Sequence, residues 1–282
     1  LLDLKLFSNR AFTTALGSLL CCTLLMGATM VFVTQYLQLV AALSPLQAGL
    51  WMLPGMCCSI ASFQLSPLAA RRVKPAHLIG GGITLAVIGL IVITQAPAVN
   101  GLRFVVIGFA LAALGSGPLV TLGTDLVVGS APVEKAGSAA ALNETSGEFG
   151  YALGIAVMGS IATAIYRGHV AEAIPSGVPA AAARAARDTM AGAFASAQSL
   201  PHDVAQALLT PAREGFTSGL HVVAAVAAVV MVAVAVIAVR MLRHVDAYAQ
   251  SEPDAVDAGV VQDEASSEDG TDESRLCAAS NG

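Results

Sequence analysis

Residues 11 to 70 read AFTTALGSLLCCTLLMGATMVFVTQYLQLVAALSPLQAGLWMLPGMCCSIASFQLSPLAA, a run without one Asp, Glu, Lys or Arg. The hydrocarbon core of a bilayer is about 30 Å thick and takes about 20 apolar helical residues to cross, so the run is too long for one crossing. Leu43-Ser44-Pro45 interrupts it with turn chemistry, and two helices are expected, near 12–39 and 46–69. Working outward, uncharged stretches run from Pro75 to Leu102, Phe104 to Thr124, Phe149 to Tyr166 and Gly215 to Val239. They predict four more spans, at about 77–96, 102–124, 136–166 and 217–241. The fold class expected is an all-α integral membrane protein, a bundle of six transmembrane helices.

Composition agrees. Of the 282 residues 56% are hydrophobic and 12% charged, half the charge of an ordinary soluble domain. The net charge of -5 hides a division: residues 246–282 hold ten of the nineteen acids and one of the fourteen bases. The body before them carries thirteen bases and nine acids, and the Ser/Gly-rich acidic tail has nothing to bury, so it is expected to be disordered. Cys21, Cys22, Cys57 and Cys58 lie in apolar runs and Cys277 in the tail. No disulfide framework or metal-ligand spacing results. The chain opens on Leu with no short basic leader and cleavage site, so a signal peptide is not expected and the chain reads as a fragment.

Basic residues set orientation, because Lys and Arg near span ends stay on the cytoplasmic side. With both termini inside, the inner segments carry Lys5, Arg10, Arg71, Arg72, Lys74, Lys135, Arg240 and Arg243. The outer segments carry Arg103, Arg167, Arg184, Arg187 and Arg213, all but Arg103 in the connection 167–216. That connection has helical composition over 180–198 and 202–214, divided at Leu200-Pro201, where Pro suits a helix start. An outer helical hairpin is expected, with a mobile loop as the alternative.

Polar groups at membrane depth need a reason, since an ionisable side chain there costs about 2.5 to 3.5 kcal/mol on insertion scales. The fifth span contains Asn143-Glu144-Thr145-Ser146-Gly147-Glu148 and then Tyr151. The separations of four and seven residues put Glu144, Glu148 and Tyr151 on one helical face. From a start near Ala136, a rise of about 1.5 Å per residue places the acids about 12 and 18 Å in. Two carboxylates one turn apart in a poorly solvated place do not both ionise cheaply. The pair is therefore expected to hold a proton and to exchange it for an organic cation. The alternative is a wet inner vestibule in which both titrate normally.

Asp125, near the inner end of the fourth span, opposes the helix dipole and reads as a solvated helix end or a weaker site. Gly115-Ser116-Gly117-Pro118 and Pro54-Gly55 break helices at membrane depth, as transporters do where neighbours satisfy the freed backbone. Gly150 and Gly154 have the spacing of close helix approach. Gln35, Gln38, Trp51, Met52, Met56, Phe63 and Gln64 supply amide, aromatic and sulfur groups that suit either a promiscuous pocket or a core.

These segments resemble a known family. Asp3 to Phe12, Thr34-Gln35-Tyr36-Leu37-Gln38, Leu43 to Gly49, Thr124 to Val127 and Ala139 to Gly150 are similar to the fourteen-helix drug:proton antiporters of the EmrB/QacA type in the major facilitator superfamily. The likeness covers about residues 1–245. It implies the C-terminal six-helix bundle of such an exporter, with an N-terminal half and two linking helices as its missing partner and an external hairpin before the last helix. It also implies proton and cation handling by Glu148 and Glu144. Two features depart from the family. Ala70 stands where the acid of the cytoplasmic motif at Ser66 to Lys74 belongs, and Gly117-Pro118 is not the antiporter motif, which lies in the other half.

The expected function is proton-coupled efflux of amphipathic, cationic drugs or antiseptics across the cytoplasmic membrane, with the C-terminus cytoplasmic. Protons serve as coupling ion, with no other cofactor, no metal and no catalytic residues. Glu148 and Glu144 are the proton and cation sites. Tyr151, Gln35, Trp51, Met52, Met56, Asn143 and Asp125 are candidates to touch the substrate, Tyr151 as a cation–π wall. Partners are the bilayer, the small molecule and the missing half, without nucleic acid. An importer or facilitator of the same fold, and an inert membrane fragment, remain as alternatives.

Overall fold

The computed structural model describes residues 9–175 and 177–242. Among them the chain is helical without a strand: α1 (Arg10–Gln35), α2 (Pro45–Ala70), α3 (Pro75–Ile93), α4 (Leu102–Gly129), α5 (Ala136–Ala173), α6 (Ala180–Asp188), α7 (Met190–Ala197) and α8 (His202–Leu242). All but α6 and α7 are long and apolar enough to cross a membrane. The acidic tail expected to be disordered and the opening Asp3 to Ser8 lie outside the described residues.

The turn that divides the first uncharged run is built by its own side chains. The last turn of α1 widens into a π turn, Tyr36–Val40, and the chain leaves it through Ala42 at φ 54°. Ser44 then caps α2: its Oγ accepts from the Gln47 N–H while its own N–H donates to Gln47 Oε1, at 3.3 and 3.0 Å. Pro45 follows at the first helical position, where a missing N–H costs nothing.

α4 lies against α1, α2 and α3, α5 pairs with α1 and α8, and α3 packs on α8. Lipid tails are as apolar as leucine, so close packing and hydrogen bonds hold such helices together rather than expulsion of water. Gly154 illustrates the packing: buried on α5, it meets α1 so closely that a Cβ there would collide with the Leu24 carbonyl. Hydrogen bonding appears at Pro118, which cannot donate to the carbonyl of Leu114 four residues earlier. Ser62 of α2 donates its hydroxyl to that carbonyl instead, at 2.5 Å. Tyr36, 1% exposed, ties the π turn to the connection between α3 and α4 by donating to the Pro97 carbonyl at 3.0 Å. The outside is apolar as well, with Leu46 74% and Val229 71% exposed. Large exposed aliphatic groups of this kind on α2, α3, α4, α5 and α8 suit hydrocarbon, not water.

Three helices clearly exceed the spans expected from hydropathy, while α3 ends three residues before its expected limit. α4 runs to Gly129 rather than 124, α5 to Ala173 rather than 166, and α8 starts at His202 rather than near 217. At about 1.5 Å per residue, α5 and α8 are about 57 and 61 Å long, well beyond the apolar core, so their polar ends project. Loss of hydropathy ends a crossing without ending a helix. Pro201 immediately precedes α8, and Pro211 is accommodated inside it. The stretch 180–198 is helical but broken at Thr189, whose extended backbone and hydroxyl, accepting from Gly192 N–H at 3.0 Å, start α7. The Tyr166 hydroxyl donates to the Ala186 carbonyl at 2.6 Å and Arg167 Nε to that of Asp188 at 3.4 Å, fastening this pair of short helices to α5.

Candidate functional site

Four helices, α1, α2, α4 and α5, enclose a cleft of about 630 Å³. From α5 it receives Asn143, Glu144, Gly147, Glu148 and Tyr151, the set that a helix starting at Ala136 turns to one side. Both carboxylates are solvent-accessible in the cleft. Among the described residues neither has an ion-pair partner. Asn143 Nδ2 donates to Thr124 Oγ1 at 3.4 Å, a link from α5 to α4.

The opposite walls are soft and apolar. α1 contributes Thr23, Met26 and Met30, α2 contributes Met56 and Phe63, and α4 contributes Phe109 and Ser116. Two glycines set the shape. Tyr151 lays its ring on Gly27, where a Cβ would overlap it, and Phe109 occupies the equivalent place over Gly55. The Tyr151 side chain, 38% exposed, thus forms a wall one turn beyond Glu148. A chamber of this size suits a drug-sized molecule, and thioether and aromatic surfaces adapt to several shapes. No basic side chain lines it among the described residues, so positive charge beside the two acids must come from a proton, a ligand or another part of the protein.

Of the residues expected to touch a substrate, the structure brings Tyr151, Met56 and Asn143 together with Glu144 and Glu148. It does not bring four others there. Gln35 lines a separate cavity at the C-terminal end of α1. Met52 is 7% exposed in the core, its sulfur accepting from Thr34 Oγ1 at 3.3 Å. Trp51 and Asp125 are exposed outside the cleft lining. Sequence reasoning passed over Thr23, Met26, Met30 and Phe109. The three- and four-residue spacing of Thr23, Met26, Gly27 and Met30 was a usable signal, because it marks one face of α1.

Fold and site together define a helical bundle built to cross a membrane around an acidic, otherwise apolar cleft. No family model matches the chain. It is 36% identical over 238 residues to the multidrug efflux pump LfrA of Mycolicibacterium smegmatis, covering 84% of this chain and 47% of that protein. It is 32% identical over 211 residues to the tetracenomycin C resistance and export protein of Streptomyces glaucescens, covering 73% of this chain and 39% of that one. The methyl viologen resistance protein SmvA of Salmonella typhimurium is 28% identical over 222 residues, 77% of this chain and 43% of SmvA. The chain thus spans less than half the length of these curated relatives.

Proposed function

We propose that this chain is the C-terminal part of an exporter of the major facilitator superfamily, of the EmrB/QacA type, that moves amphipathic cations out of the cell in exchange for protons. The observation that carries the reading is the pairing of Glu144 and Glu148 in one cleft walled by Tyr151, methionines and phenylalanines. Among the described lining residues no Lys or Arg stands beside the pair, so in this reading a proton and an organic cation compete for the same carboxylates. Competition of that kind is the minimum an antiporter needs. The relatives support it by name, since they export or resist drugs, and methyl viologen is itself a dication.

Orientation follows the basic residues: the Arg71-Arg72 turn and the C-terminus on the cytoplasmic side of the cytoplasmic membrane, and α6 and α7 outside. The bilayer covers the apolar exterior, and the remaining half of the transporter closes the open side of the cleft. The two halves rock about a midplane site. One-for-one exchange of a proton for a monovalent cation moves no net charge across the membrane, so the pH gradient drives it, about tenfold in cation concentration per pH unit. The expected test uses the complete protein as its gene encodes it, in vesicles. Inverting the pH gradient reverses net flux of the cation, and Glu148→Gln lowers coupled flux at least tenfold while the protein still folds. Flux that ignores the gradient, or full export by the variant, defeats the proposal.

A further inference from the structure

A second cavity, of about 500 Å³, shares two helices with the cleft, α1 and α5. On α1 the cleft ends at Met30 and the cavity begins at Val31; on α5 the cleft ends at Tyr151 and the cavity begins at Ile155, one turn further. Along α1 the two linings are consecutive and along α5 they are separated by about 6 Å of helix rise, without a residue in common. The outer one is differently built. It has the amides of Gln35 and Gln38 beside the π turn, the hydroxyl of Thr163, the acid Asp188, and the ring of Phe32. Phe32 is tilted against Phe216 of α8 at 6.0 Å between centroids. Residues Asp188 to Ala191, at the junction of α6 and α7, form another part of its wall. π turns are rare and concentrate at functional sites; here one sits where α1 presents its two glutamines to the cavity.

We propose that this outer cavity is a second site for the amphipathic cation, one step further along the exit path. It rests on the export reading for its direction but not for its existence. The chemistry is that of a weak, permissive stop: aromatic faces and amide oxygens attract a delocalised cation. A lone acid at the rim replaces the pair of the inner cleft. Among the described lining residues there is no Lys or Arg. A ligand leaving the carboxylate pair then passes to a site that holds it less tightly and opens toward the outer segments.

The test is equilibrium dialysis of tetraphenylphosphonium against the complete protein in detergent. Two binding components are expected. Glu148→Gln weakens the tighter one at least tenfold and leaves the weaker one. Ala191→Trp, which adds bulk from an exposed wall position, weakens the other at least tenfold, and Gln35→Ala weakens it several-fold should the tryptophan variant fail to fold. A single component removed entirely by Glu148→Gln, or a weaker component indifferent to both outer variants, overturns the proposal. Loss of the weaker component in the outer variants with no effect of Glu148→Gln supports the outer site and defeats the role assigned to Glu148.

Discussion

Glu148 and Glu144 differ from the other acids of the bundle in what surrounds them: a shared cleft, a tyrosine ring one turn above Glu148, and sulfur and aromatic groups opposite. Tyr151 is fixed by its contact with Gly27, so it is a prepared surface rather than a flexible one. Cation–π contacts contribute about 0.5 to 2 kcal/mol, between two- and thirtyfold in affinity. Tyr151→Ala is therefore expected to weaken binding of an aromatic cation within that range, with Tyr151→Phe close to the parent; a titration in detergent measures it. Equal loss in both variants assigns the effect to the hydroxyl instead. The grouping of these acids was readable from their spacing, because a helix converts separations of four and seven into one face. Their neighbours on α1 and α2 were readable only in part: the spacing of Thr23, Met26, Gly27 and Met30 marks one face of α1 without saying what that face meets. Those helices are apolar all round, so hydropathy does not distinguish a cleft-facing methionine from a packed one. Met52 and Met56, one turn apart, went to the core and the cleft respectively.

At the scale of elements, α4 runs through Pro118 without the break expected there, and the carbonyl this proline leaves unpaired is met by one donor from another helix. Hydrogen bonds between membrane helices contribute about 0.6 kcal/mol on average, but the Leu114 carbonyl has lost its own helical partner to Pro118. Leaving such a buried acceptor unpaired costs about 1 to 3 kcal/mol. Ser62→Ala is accordingly expected to destabilise the protein by about 1 to 2 kcal/mol, more than the average bond, read as a lowered midpoint of denaturant unfolding in detergent. Ser62→Thr, which keeps the donor, is expected to lose less. A shift of only a few tenths for alanine removes this bond from the account. The turn was legible in Leu43-Ser44-Pro45, while the capping box that Ser44 forms with Gln47 was passed over. The true beginning of α8 was not legible either, because hydropathy reports where a helix meets lipid and the turns from His202 lie beyond that.

For the whole molecule, six apolar helices were legible from the gaps between charges alone, since no sequence can place charge in hydrocarbon freely. Which of them enclose the cleft followed only from packing, with α4 between α2 and α1 and α5 laid along α1. The outcome is a bundle whose two α5 acids share a cleft lining with groups from α1, α2 and α4. The exchange proposed for that chamber makes a strict demand: the carboxylate pair must give up a proton when a cation arrives. Binding of tetraphenylphosphonium to the complete protein near neutral pH, in weakly buffered detergent solution with a pH indicator, measures this directly. The account predicts release of about one proton per cation bound at the tighter site, and none in Glu144→Gln/Glu148→Gln. Tight binding of the cation with no proton released would contradict it.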